Sequence, residues 1–334
     1  MFNAVGVSCG LLGVISTVAL RVVPKHRLKF SISSLPFDEF LESYEGIVKN
    51  SEHAAFIYFP YVDHVRVEVA KKLGDKEETT LKYRSMPKHN RVKLFFASIL
   101  NYILFESNFG HCFGPVIWLV IRYITLIDLE PQASVKKPAV DKSYKVVANN
   151  VNFDIEHHEM EYGYDAGQAK EVIQAYRKVY KSLPSHYQYS SMLDIRFSNR
   201  DAAWLAASSG QRTVWLDLIR PSVHKHTDDF LVSFKPAVLK YKGRPHFGKI
   251  NILGADELND CFPHWKDFIH IRNELDPSKV FANPYFESLF GSKNSNHLSS
   301  STSTQPNISR SRQTVIMSNM LPSPFVTSVN VKQS

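Results

Sequence analysis

The side chains best suited to chemistry in this sequence begin with a run of histidines and glutamates. His157, His158, Glu159 and Glu161 could supply nitrogen and oxygen ligands to a metal ion. Successive side chains of a strand point to opposite sides, so only His157, Glu159 and Glu161 would share one side. An ordinary solvated strand face explains this spacing more simply, and we predict no metal site.

Two further segments combine unusual residues. The hexapeptide RPHFGK at residues 244–249 places two cations and an imidazole around Gly248, where the backbone can turn tightly. The segment LDPSKVFANPY at residues 275–285 reads as the end of a helix followed by an aromatic stretch. Taken alone, each segment is explained equally well by turn chemistry.

Several familiar motifs are missing from the sequence. It contains no GxGxxG, GxxxxGK[ST], HExxH or GxSxG pattern. No motif therefore indicates a nicotinamide-dependent enzyme, a P-loop protein, a zincin or a hydrolase with a nucleophile elbow. Its three cysteines, Cys9, Cys112 and Cys261, are odd in number and far apart. This spacing predicts neither a disulfide framework nor a CxxC metal site.

The positive charge of the chain lies at its two ends. The net charge is +8 over 334 residues. Residues 1–37 contain four basic and no acidic side chains, and so do residues 292–334. The body between them is neutral, which argues against a nucleic-acid groove because such a groove concentrates lysine and arginine on one folded face.

The elements that must position the candidate residues follow from hydrophobic periodicity and from Gly and Pro punctuation. We predict strands at 27–33, 53–61, 65–69, 151–162, 189–197 and 213–219, a strand, glycine turn and strand over 4–23, and helices from Pro36 and at 168–181, 228–241 and 264–274. Residues 131–143 are predicted to be an exposed connection. The mixed order favours the α+β class, with a mixed or antiparallel sheet flanked by helices.

Two apolar segments raise the question of a membrane. Residues 4–20 are followed rather than preceded by positive charges, which is the wrong order for a secretory signal. Residues 92–129 are interrupted by Glu106, His111 and Arg122, which favours a buried helix pair, with a membrane-embedded hairpin or interfacial anchor as the alternative. We expect a protein that is not secreted, either cytoplasmic or associated with the endoplasmic reticulum or a mitochondrial membrane.

Four segments, taken in order, resemble the aldonolactone oxidase family, the flavoproteins that include gulonolactone and arabinonolactone oxidases. They are AVGVSCGLLGVISTVALRVVP at 4–24, LDIRFSNRDAAWLAASSGQRTVWLDL at 193–218, RPHFGK at 244–249 and DPSKVFANPYFESLFG at 276–291. The resemblance covers nearly all of residues 1–291. Cys9 stands where the family usually has leucine, and Phe247 where it usually has tryptophan.

The resemblance implies an oxidation in which a carbinol carbon passes a hydride to FAD. Arg196 and Lys249 match the active-site arginine and lysine of the family, and His246 stands beside the lysine in the same motif. Asp194 occupies the position where sugar-alcohol oxidising relatives have glutamate, which leaves its role open. The alternative for Arg196 is a surface strand residue paired with a nearby aspartate.

The resemblance also implies which residues bind the cofactor. They are Gly10, Gly13 and Val14 in the first segment and Asn283 and Tyr285 in the last. The glycines would permit close approach of the backbone to a pyrophosphate. For Asn283 and Tyr285 the alternative is a purely structural helix end.

By the same resemblance the chain divides into a remnant of the FAD-binding domain at 1–34, a substrate or cap domain at 35–291 and a Ser-rich disordered tail at 292–334. The expected function is oxidation of a sugar-1,4-lactone of the D-arabinono or L-gulono type. Oxygen or another acceptor would then take the electrons from the flavin, and the reaction would belong to a pathway of the ascorbate or erythroascorbate type. The alternative is a non-catalytic, membrane-associated fragment or paralogue that cannot hold FAD alone.

Overall fold

A computed structural model describes residues 1–74, 139–144, 157–184, 187–188, 191–221 and 227–290. Residues Met1–Gly291 form one compact unit. The apolar segment 92–129 and the tail 292–334 lie outside the described residues, as does the first part of the strand predicted at 151–162.

One antiparallel sheet organises the described residues. Its strands are β1 (Arg27–Pro36), β2 (His53–Phe59), β3 (His64–Lys72), β4 (Ala139–Lys142), β5 (His157–Asp165), β6 (Met192–Ser198), β7 (Thr213–Pro221) and β8 (Arg244–Pro245). Their order across the sheet is β4-β1-β3-β2-β6-β7-β5-β8, and each paired strand runs antiparallel to its neighbour. The predicted α+β class with an antiparallel sheet is confirmed.

The helices among the described residues are short. They are α1 (Phe2–Val5), α2 (Phe37–Lys49), α3 (Ala169–Ser182), α4 (Thr227–Val232), α5 (Lys235–Lys240), α6 (Ala255–Cys261), α7 (Trp265–Leu275) and α8 (Pro284–Phe290). In the part of the chain that the structure describes, no helix has both the length and the apolar character needed to cross a bilayer.

The two faces of the sheet differ sharply in composition. Alternation puts Phe56 and Tyr58 of β2 on the same face as Leu193 and Ile195 of β6, and all four are fully buried. Leu216 and Leu218 of β7 continue this apolar face. On the opposite face, charged side chains of β5, β6 and β7 meet, among them Glu161, Asp194 and Asp217. This face is therefore the one available for chemistry.

Helices α2 and α3 cover the apolar face. Phe37 and Phe40 of α2 lie against Tyr58 and Phe56, with ring centroids 4.8 and 4.9 Å apart. Helix α3 buries Val172, Ile173, Tyr176 and Tyr180, a spacing of one helical face.

Arg177 of α3 ties these layers together. It is bonded to Asp38 at the start of α2 and to Asp63 in the turn between β2 and β3, and its guanidinium lies 4.3 Å from the centroid of the Phe37 ring. The positions of α2 and α3 on the sheet are therefore coupled.

The last three helices pack around one aromatic cluster. Phe247, Phe262, Trp265 and Phe290 form it, and the Trp265 and Phe290 rings stack with centroids 4.4 Å apart. The sequence predicted α7 at 264–274 but not α6 or α8.

Three predicted elements are wrong. Residues 4–23 do not form strands: α1 is followed by turns and then by chain without regular secondary structure, and Val14, Leu20 and Val22 are exposed. The connection predicted at 131–143 contains β4, whose Val140 and Asp141 are buried. The helix predicted at 228–241 is two helices, because Pro236 has no N–H to bond to the preceding turn.

The predicted division at residue 34 falls inside β1, which pairs with β3 from Leu28 to Pro36. The domain boundaries stay a prediction.

Replacing Leu216 by alanine should lower the free energy of unfolding by about 3 kcal/mol, because its fully buried side chain would leave a cavity between the sheet and its helices. Chemical denaturation measures this change. Leu20→Ala is the matched control, because Leu20 is 78% exposed and should change stability by less than about 0.5 kcal/mol. Equal effects of the two substitutions would contradict the assigned core.

Candidate active site

Three acidic residues stand side by side across the centre of the polar face. Asp217 of β7 is paired in register with Asp194 of β6 on one side and with Glu161 of β5 on the other. Asp217 is 2% exposed and Glu161 7%. Like charges directly opposite each other destabilise a sheet, so this row requires cations beside it.

Lys249 supplies the first cation. Its Nζ lies 2.5 Å from Asp217 Oδ2, 3.1 Å from Glu161 Oε2 and 2.8 Å from Glu159 Oε2. The ammonium donates a hydrogen bond to Asp217 and forms ion pairs with Glu159 and Glu161, so it faces three different carboxylates.

The RPHFGK segment holds Lys249 in place by running along the edge of β5. His246 N donates to the carbonyl of Glu161, and Ile250 N donates to that of Glu159. Between these two bonds the chain turns back on itself, with Lys249 N donating to the His246 carbonyl. A Cβ on Gly248 would lie 2.9 Å from the His246 ring, which would have to move to accept it.

Arg196 of β6 supplies the second cation. Its Nε lies 3.2 Å from Asp194 Oδ2, and its Nη2 lies 3.3 Å from Glu161 Oε1 and 3.4 Å from Asp217 Oδ2. The side chain remains 45% exposed. Arg196 thus neutralises the row while presenting a guanidinium to the surface of the polar face.

One charged group consists of Asp194, Asp217, Glu161, Glu159, Arg196 and Lys249. Burial and neighbouring charges shift the pKa values of several of its members. Burial raises the pKa of Asp217 to about 8, although Lys249 opposes the shift. Burial also raises the pKa of Asp194 to about 6. At Glu159 hydrogen bonds from His157 and Lys249 outweigh burial and lower the pKa to about 2. At Lys249 the attraction of Asp217 and Glu161 outweighs burial and raises the pKa, so the ammonium stays charged.

Comparison with known proteins identifies the family. The family profile "D-arabinono-1,4-lactone oxidase" matches residues 18–289 of the chain. The chain belongs to this family.

Curated relatives include L-gulono-1,4-lactone dehydrogenase of Mycobacterium tuberculosis, 28% identical over 298 residues, which make up 87% of this chain and 64% of the relative. L-gulonolactone oxidase of Bos taurus is 24% identical over 301 residues, covering 87% of this chain and 63% of the relative. The chain therefore spans just under two thirds of the length of these curated relatives.

The fold has solved counterparts. A variant of cholesterol oxidase from Brevibacterium sterolicum matches with a TM-score of 0.59 and 13% identity, covering 80% of this chain and 60% of that one. At this identity the match concerns the fold alone. It agrees with an antiparallel sheet flanked by helices.

The structure brings together three of the four residues predicted to be catalytic. Arg196, Lys249 and Asp194 all belong to the charged group on the polar face. His246 does not: its side chain is exposed, and its Nδ1 accepts a hydrogen bond from the Gly248 N–H at 3.1 Å.

The residues predicted to bind the cofactor lie in two segments. Gly10 and Gly13 have φ angles of +76° and +124°, and an added Cβ on either would meet nothing within 4 Å. Val14 beside them is 84% exposed. Asn283 caps α8 by accepting a hydrogen bond from Phe286 N at 3.0 Å, and Tyr285 is 36% exposed. Their cofactor roles stay predictions.

Sequence reasoning missed part of the group. Glu159 and Glu161 were assigned to a solvated strand face with His157, but Glu161 is buried and both glutamates bond Lys249. Asp217 was not singled out at all. Its signal was a single acid inside the apolar strand TVWLDLI, since a buried carboxylate requires a partner.

Lys249→Met should lower the free energy of unfolding by about 3 kcal/mol at neutral pH, because it leaves buried carboxylates without a cation. The loss should grow with rising pH as more of these carboxylates ionise. Denaturation curves across a pH series measure both effects.

Lys266→Met is the matched control, because Lys266 is exposed and its loss should change stability by less than about 0.5 kcal/mol. If the two lysine variants were equally stable at every pH, the charged group would not have the energetic role assigned to it.

Proposed function

We propose that this chain carries the substrate-binding and charge-stabilising side chains of a flavin-dependent oxidase of sugar-1,4-lactones, of the L-gulono or D-arabinono type. The supporting observation is the meeting of Arg196 and Lys249, both anticipated from motifs, on one open face of the sheet. The family membership and the names of the relatives support the same reaction class.

The residues present fit FAD as the cofactor. When bound, FAD supplies a ring that accepts a hydride and becomes anionic. Lys249 and Arg196 offer two fixed cations beside a place where such charge would develop, held by the sheet rather than by a mobile loop. Gly10 and Gly13, with their left-handed backbone and open surroundings, permit a phosphate to approach the main chain.

The chain's own residues would act on the lactone by binding and orientation. The exposed guanidinium of Arg196 can donate hydrogen bonds to lactone oxygens. Asp194, whose Oδ2 lies 3.2 Å from Arg196 Nε, can accept a hydrogen bond from a hydroxyl group of the lactone.

We also propose that, in the cell, the reaction delivers electrons to oxygen or another acceptor within a pathway of the ascorbate or erythroascorbate type. The competing proposal is a non-catalytic, membrane-associated protein. The exposed apolar side chains of Val14, Val18, Leu20 and Val22 favour that alternative, since contiguous exposed apolar residues mark interaction sites.

Visible absorption of the purified chain after addition of FAD separates the two proposals. The oxidase proposal predicts bound flavin whose absorption is bleached under anaerobic conditions by L-gulono-1,4-lactone or D-arabinono-1,4-lactone. Lys249→Ala should slow this bleaching at least about 100-fold, while Lys266→Ala should leave it unchanged.

Flavin that fails to bind, or that stays oxidised with both lactones, would contradict the oxidase proposal and favour the non-catalytic one. Equal rates of flavin reduction in the Lys249→Ala variant and the unmodified chain would remove Lys249 from the reaction.

A further inference from the structure

The acidic row contains two buried oxygens without hydrogen-bond donors. Both oxygens of Glu161 are satisfied, one by Arg196 and one by Lys249. Oδ2 of Asp217 and Oδ2 of Asp194 also face cations. The remaining oxygens, Asp217 Oδ1 and Asp194 Oδ1, are buried with no partner.

The register of the sheet puts these two oxygens on neighbouring residues. Asp194 and Asp217 are direct cross-strand partners of β6 and β7, and side chains so paired have Cβ atoms about 4.5–5.5 Å apart. Leaving a buried acceptor unsatisfied costs about 1–3 kcal/mol for each group. A single proton between the two carboxyl groups would satisfy both oxygens at once.

We infer that Asp194 and Asp217 share one proton, and that Asp217 is a positioning residue which through this proton sets the charge beside Lys249. The group formed by Asp194, Asp217, Glu161, Glu159, Arg196 and Lys249 has four acids and two cations. One shared proton halves the excess of negative charge. The role for Lys249 rests on the proposed function, whereas the proton itself does not.

The charged groups that face the two aspartates act in opposite directions. Arg196 and Lys249 favour ionisation, while Glu161, Glu159 and Glu68 of β3 oppose it, together with burial. Glu68 is in turn paired with Arg66 at 2.7 Å. In the proposed reaction, a protonated pair would leave Lys249 and Arg196 with more positive potential for a developing negative charge than an ionised pair would.

Infrared spectroscopy of the full chain, with ¹³C label in the aspartate carboxyl groups, tests the inference without FAD or lactone. At about pH 6 we expect the carbonyl stretch of about one un-ionised aspartate per chain. Asp217→Asn and Asp194→Asn should each abolish this signal, because the new amide donates the hydrogen bond that the proton supplied. Asp267→Asn, at a side chain 60% exposed on α7, should leave it unchanged.

The pH dependence of stability gives a second readout. The pair keeps its proton in the folded chain at pH values where aspartates of the unfolded chain have lost theirs, so the contribution of the pair to the unfolding free energy should fall as pH rises from about 4 towards 8. In Asp217→Asn this fall should be shallower, while in Asp267→Asn it should match the unmodified chain.

Absence of un-ionised aspartate at about pH 6, or its persistence in Asp217→Asn, would overturn the inference. Because neither readout involves the cofactor, a failure to bind FAD would count against the proposed function alone, and a missing proton signal would count against the shared proton alone.

Discussion

The constraint on which the site depends is the lateral row of Asp194, Asp217 and Glu161 across three adjacent strands. Three carboxylates placed side by side destabilise a sheet, because they repel one another and lose hydration. Lys249 and Arg196 make the row tolerable, and both contact Asp217 and Glu161. The result is a pair of cations fixed over the sheet by the acids beneath them.

The rest of the fold keeps this arrangement rigid. Helices α2 and α3 cover the opposite face through aromatic and aliphatic contacts. These contacts oppose a shift in register of the strands that carry the acidic row. Lys249 comes from a segment bonded to β5 on both sides of its turn, and Phe247 in that turn is anchored among Phe262, Trp265 and Phe290. Fixed donors need no reorganisation when charge develops nearby.

The sequence predicted the class of fold and the two cations, but only part of the site. Strands β1 to β3 and β5 to β7 have clear period-two alternation, and RPHFGK and Arg196 stand in recognisable segments. Asp217 could not be found in this way, because its partner Lys249 is distant in sequence and only the pairing of β5 with β7 brings them together. Residues 4–23 look like strands because they are apolar and β-branched, yet strand formation needs a neighbour, and the described sheet offers them none.

The interaction between Lys249 and Asp217 is the most direct point at which to test this account. Unfolding free energies of Lys249→Met, Asp217→Asn and the double variant form a thermodynamic cycle that isolates it. The account predicts a coupling energy of about 1–3 kcal/mol, with the double variant more stable than the sum of the single losses implies. Additive losses, within about 0.5 kcal/mol, would show that the two side chains do not depend on each other and would contradict the central role of the charged group.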